Sequence, residues 1–72
     1  MAMVKPMKRR DVNRALRRNG CAIKSDRGRH TTWVCDCGGQ YTADIPRHLE
    51  ISAGVIGDTI DRMKCLPEGW LQ

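Results

Sequence analysis

Residues 21–45 contain three short apolar segments, "CAIK", "HTTWVC" and "QYTADI", separated by the polar stretches "SDRGR" and "DCGG". This punctuation constrains the fold more than any other feature of the chain. "HTTWVC" is β-branched and aromatic, and such residues pack well on a pleated surface. In "QYTADI", Tyr41, Ala43 and Ile45 alternate with Gln40, Thr42 and Asp44, the period of a strand with one buried face. "CAIK" puts Cys21 and Ile23 on one side. Glycine marks both connections as turns. Links this short join antiparallel neighbours, so a three-stranded antiparallel meander is expected.

A helix is expected on each side of the meander. From Met7 to Asn19, Val12, Ala15 and Leu16 share one face, and Arg10, Arg14, Arg17 and Arg18 lie opposite. Asn19-Gly20 supplies the stop, because glycine readily takes the left-handed conformation that closes a helix. After the connection "PRHLEI", Ser52 is the expected N-cap of a second helix running to about Lys64. Its apolar face is Val55, Ile56, Thr59, Ile60 and Met63. The order α-β-β-β-α is read as a two-layer α+β domain, with two helices on one face of the sheet. Seventy-two residues make a single domain, 1–72, with a flexible lead over 1–6 and a tail over 65–72.

Charge is unevenly spread. Residues 1–30 hold ten Lys and Arg against Asp11 and Asp26, a balance of +8, whereas residues 31–72 carry −3. A basic first half points to a polyanionic partner. No apolar run is long enough to span a membrane, and "MAMVKPMKRR" has no signal-peptide core. A cytoplasmic chain is expected, with its four cysteines as reduced thiols or metal ligands rather than disulfides.

"RGRHTTWVCDCGG" holds the candidate chemistry. An imidazole exchanges protons near neutral pH, and a ribonuclease needs a group to take the proton of a 2′-hydroxyl or to protonate a leaving 5′-oxygen. Lys24, Arg27 and Arg29 beside His30 would hold phosphates and stabilise the charge that develops at phosphorus. Gly28 would let a backbone come close. A metal site would use Cys35, Cys37, His30 and His48, but the spacing is C-x-C and a closed zinc site needs four ligands. The third possibility is a solvated His30, with Cys21, Cys35 and Cys65 as small apolar fillers and Cys37 as an exposed turn thiol. His48 either contacts phosphate with Arg47 or assists His30, or else caps or packs the start of the second helix. Thr31 and Thr32 read as strand surface, and Asp44 and Glu50 do not read as a catalytic pair.

The order of the pieces "MKRRDVNRALRRNGC", "RGRHTTW" and "ADIPRHLEISAGVIGDTIDRM" resembles the HicA family of bacterial toxins, the mRNA interferases of HicA–HicB toxin–antitoxin systems. The likeness covers residues 7–64. It is carried by a helix ending in Asn19-Gly20, by Gly28, His30 and Trp33 in the Gly-x-His-plus-aromatic signature, and by Pro46, His48, Glu50, Ile51 and Gly54 ahead of the last helix. Arg29 stands where the family commonly has Ser or Thr, and "CDCGG" where many members have a Pro/Asp/Gly turn.

The resemblance implies a fold like a double-stranded-RNA-binding domain and metal-independent cleavage of mRNA, with His30 catalytic and no cofactor. Lys24, Arg27, Arg29, Arg10, Arg14, Arg17 and Arg47 are then the expected RNA contacts. The implied partner is a HicB-type antitoxin that masks the site, with no direct DNA binding expected without it. The competing functions are a non-catalytic RNA-binding module of the same fold and a small zinc-stabilised interaction domain. On the ribonuclease reading, Cys35 and Cys37 are expected to be free thiols with no bound metal, because ligation would occupy the His30 lone pair needed for proton transfer.

Overall fold

The computed structural model of the protein describes residues 4–36, 40–67 and 69–72. The expected "DCGG" turn, with Cys37, falls largely outside the described residues, as do the first three residues of the expected lead. The element order is β1 (Met7–Lys8), α1 (Arg9–Arg18), β2 (Cys21–Arg27), β3 (His30–Asp36), β4 (Gln40–Pro46), β5 (Glu50–Ile51) and α2 (Ala53–Arg62). β2, β3 and β4 form the expected antiparallel meander, in that spatial order. The protein is a small α+β domain.

One face of the meander is apolar. Trp33 and Cys35 on β3 lie opposite Ala43 and Tyr41 on β4, and Cys21 lies opposite Cys35. Trp33, Cys35, Ala43 and Ile45 are buried in one core with Val12 and Leu16 of α1 and with Ile56 and Met63. Fully burying side chains such as Val12, Leu16 and Ile56 contributes about 1.5–3 kcal/mol each. Ile23 was expected on this face beside Cys21, but it is 45% exposed. The pairing register shifts between Ile23 and Ser25, and the irregularity leaves Lys24 without a cross-strand partner.

The first helix starts two residues later than the sequence suggests. Met7 and Lys8 pair instead with Ile51 and Glu50 in a two-stranded ribbon, and the Arg9 N–H donates to the Leu49 carbonyl at 3.0 Å. The ribbon lies immediately before both helices, so it fixes where each begins. α1 ends as expected: the Asn19 side chain donates to the Ala15 carbonyl at 2.7 Å, and Gly20 turns the chain with φ +82°. Asp11 in its first turn and Arg17 and Arg18 in its last complement the helix dipole. α2 is capped by Ser52, whose hydroxyl accepts from the Val55 N–H.

The C-terminal tail docks. Leu71 is buried and Trp70 packs on the core, and the Gln72 side chain accepts a hydrogen bond from the Lys5 N–H at 2.9 Å. Among the described residues, no helix is long and apolar enough to cross a membrane.

Candidate functional site

β2 runs to Arg27, three residues beyond the expected strand end, and the hairpin turn shortens to Gly28-Arg29. Gly28 has φ +58° and no described non-glycine residue has a positive φ. A left-handed glycine first and an ordinary residue second is the pattern of a type II′ turn, whose twist matches the flanking strands. A side-chain carbon at Gly28 would meet nothing within 4 Å, so the residue is glycine for its φ rather than for close packing.

This turn makes Arg27 and His30 cross-strand partners. Alternation then carries Ser25 and Thr32 to the same side, the face of the sheet away from Trp33. On β4, Asp44 lies opposite Thr32 and Pro46 opposite His30. Together they line a shallow cavity of about 480 Å³ to which α2 adds Gly54, Val55 and Asp58. The Thr32 hydroxyl donates to Asp44 at 2.6 Å and orients that carboxylate. The cavity therefore gathers one imidazole, one guanidinium, two hydroxyls and two carboxylates. These groups can exchange protons and balance a transient negative charge.

The other cations expected beside His30 or as RNA contacts lie outside the cavity. Arg47 pairs with Asp26 across the opposite face, and the Thr31 hydroxyl also donates to Asp26 at 2.9 Å. The Arg47 hydrogen bond, and then that of Thr31, hold the Asp26 carboxyl below its ordinary pKa. Arg29 sits in the turn, where its carbonyl accepts from the Arg47 N–H at 2.9 Å. Lys24 is exposed at the register shift. His48 is exposed and does not line the cavity. Arg10, Arg14, Arg17 and Arg18 line a separate groove on α1. The Arg17 guanidinium lies 5.7 Å from the centroid of the Trp33 ring, a cation–π contact that covers the core tryptophan.

Ser25, Thr32, Asp44 and Asp58 were not expected in the site. Thr32 reads as plain strand surface in the sequence, and Asp44 as one of an unconvincing acid pair. The period of two along β3, counted from His30, is a signal that finds Thr32; Ser25, Asp44 and Asp58 reach the cavity only through strand register and tertiary placement.

The cysteines differ from expectation. The metal set that included His30 and Cys35 does not assemble: five residues of strand put them about 16 Å apart, and alternation puts them on opposite faces. Cys65, expected as a reduced filler, is disulfide-bonded. Its Sγ lies 3.3 Å from that of Cys35. Burial, and then a hydrogen bond with Cys35, push the Cys21 thiol up to about 12. Among the described residues, no group of three ligating side chains could hold a metal.

Compared with protein-family models, curated proteins and solved structures, the chain finds no match.

Proposed function

We propose that the protein is an endoribonuclease of the HicA toxin type, acting on mRNA in the cytoplasm. The observation that carries this reading is the shared cavity of Arg27 and His30. The proposed reaction is internal transesterification. The 2′-oxygen of a ribose forms a bond to the adjacent phosphorus and the bond to the 5′-oxygen breaks. The products are a 2′,3′-cyclic phosphate and a free 5′-hydroxyl. One proton leaves the 2′-hydroxyl and one reaches the 5′-oxygen; His30 performs one of these transfers and solvent water exchanges the other proton. Arg27 opposes the charge that accumulates on the phosphoryl oxygens. His30 and Arg27 supply both requirements from the chain itself, so the reading needs no metal.

The helix–meander–helix order supports the finer fold reading, a domain like those that bind double-stranded RNA. Such domains contact backbone phosphates and 2′-hydroxyls rather than base sequence. In this reading Arg10, Arg14 and Arg17 track phosphates along α1, with Lys24, Arg29 and Arg47 as outlying contacts. The partner is a HicB-type antitoxin that covers the His30 cavity, and DNA is engaged only through that partner.

A non-catalytic RNA-binding module is the second reading. It is favoured by the α1 arginine groove lying apart from the cavity. Induced expression in a bacterium separates the two. Growth arrest with mRNA decay from the wild type, and neither from His30→Ala, is the expected result. Equal arrest by both chains would remove the nuclease reading.

A further inference from the structure

The cleavage proposed above moves two protons, and His30 moves one of them. The entering 2′-oxygen and the leaving 5′-oxygen lie in line on opposite sides of phosphorus. One imidazole cannot touch both at once, so the second proton has its own route before it reaches solvent. Besides His30, the titratable side chains lining the cavity are Arg27, Asp44 and Asp58. A guanidinium gives up no proton in a protein, which sets Arg27 aside. Asp58 accepts from the Arg62 Nε–H at 2.8 Å, and that cation offsets its charge. Among the described residues Asp44 has no ion pair. Its Oδ1 accepts from the Thr32 hydroxyl at 2.6 Å.

The strand register places Asp44 where a second catalytic group is needed. His30 lies opposite Pro46 and Thr32 lies opposite Asp44. His30 and Asp44 are therefore diagonal neighbours on one face of the sheet, about 7–8 Å apart. A proton-transfer contact spans about 2.6–3.2 Å. An acid and a base on either side of one phosphoryl group thus belong at a separation of this order and not in contact with each other. Thr32 stands between them and spends its own proton on Asp44, which fixes the carboxylate and leaves Oδ2 to accept another.

We propose that Asp44 is the general base of the cleavage and His30 its general acid. This inference rests on the ribonuclease reading. The Asp44 carboxylate takes the 2′-hydroxyl proton as the 2′-oxygen bonds to phosphorus. The His30 imidazolium gives its proton to the 5′-oxygen as the bond from phosphorus to that oxygen breaks. Asp44 ends protonated and His30 neutral. Asp44 then releases a proton to water and His30 takes one from water, so solvent exchange restores both. The roles follow from the two groups: a carboxylate is normally ionised at neutral pH, and an imidazolium is the better proton donor there.

The test compares wild type, His30→Ala and Asp44→Asn on two RNAs of one sequence. In the second RNA, sulfur replaces the 5′-oxygen of the linkage that the wild type cleaves. A thiolate leaves without being protonated, so this RNA needs a base but no acid. Asp44 is exposed, and asparagine keeps an oxygen for the Thr32 hydroxyl, so the variant should melt and bind RNA like the wild type. On the ordinary RNA, His30→Ala and Asp44→Asn should each be slower by at least about 10²-fold. On the sulfur RNA, His30→Ala should come within a few-fold of the wild type, and Asp44→Asn should remain slow by about 10²-fold.

Asp44→Asn within a few-fold of the wild type on the ordinary RNA would overturn the proposal and leave the ribonuclease reading standing. A rate loss matched by an equal loss of melting temperature or RNA affinity would make Asp44 a structural residue and overturn it too. So would rescue of Asp44→Asn by the sulfur, or failure of the sulfur to rescue His30→Ala, since either reverses the two roles. A wild type that cleaves neither RNA, or His30→Ala as fast as the wild type on the ordinary one, would remove the ribonuclease reading itself and this inference with it.

Discussion

Arg27 and His30 face each other across a two-residue turn, and both line the same cavity. That relationship depends on the left-handed backbone of Gly28. Gly28→Ala meets no steric obstacle in the surrounding space, so its cost is the conformational one, about 1–2 kcal/mol. Denaturant unfolding should show this loss, and Gly28→Asn should lose less. In activity, Gly28→Ala should impair cleavage more than RNA binding, because it disturbs the geometry of two facing groups and not a phosphate contact. An alanine variant as stable as the wild type would mean that the turn is not built on this φ.

The arginines of α1 form a second cationic surface, distinct from the cavity. Arg17 is a poor probe of it because it also covers Trp33, so Arg10 and Arg14 are the better pair. Replacing both with Gln should reduce the salt slope of RNA binding by about one to two units, at roughly 0.7–0.9 per lost phosphate contact. The cleavage rate at saturating RNA should change little. An unchanged slope would make this face a solvated surface.

Most of the meander was legible in the sequence, for a local reason. Strand residues alternate, and the glycine-bearing stretches mark the turns. The Asn19-Gly20 stop and the Ser52 cap were legible for the same reason, since each satisfies helix-end groups with residues next to it. The β1–β5 ribbon was not legible, because Met7 and Lys8 acquire a strand partner only through Ile51 and Glu50, more than forty positions away. The site divides the same way. His30 and Arg27 announce themselves by residue type and a glycine between them. Asp44 and Asp58 join them through tertiary placement, and Arg47 leaves them because Asp26 offers it a carboxylate on the other face. The contact of Cys65 with Cys35 spans thirty positions and has no local signature.

Asp26 provides a pH readout of that diverted arginine. Its folded pKa lies below the ordinary 3.8, first through the Arg47 hydrogen bond and then through Thr31. A depressed carboxyl pKa contributes stability that is present above the unfolded value and is lost as pH falls through the folded one. The carboxyl resonance of Asp26 in an NMR titration should therefore have a midpoint below 3.8. Arg47→Gln should move that midpoint upward. A midpoint unaffected by the substitution would assign the depression to Thr31 alone.

Trp33 separates packing from hydrogen bonding in the core. It is 1% exposed, and its Nε1–H has no hydrogen-bond partner among the described residues. Trp33→Phe should therefore cost little more than a volume-conserving exchange, about 1–2 kcal/mol. Trp33→Ala should cost about 3–5 kcal/mol through the cavity it leaves. Equal losses in the two variants, measured by chemical unfolding, would show that the indole N–H matters in a way the packing does not reveal.

The central claim is that His30 transfers a proton during RNA cleavage, and purified protein tests it most directly. Wild type and His30→Ala are compared on one end-labelled RNA in the presence of EDTA, with binding measured in parallel. The account expects cleavage by the wild type that leaves 2′,3′-cyclic phosphate ends, and no cleavage of the matching DNA. His30→Ala should be slower by at least about 10²-fold, the lower end of general acid–base effects, with RNA affinity nearly intact. Cleavage by the variant within a few-fold of the wild type, or no cleavage by either chain, would contradict it.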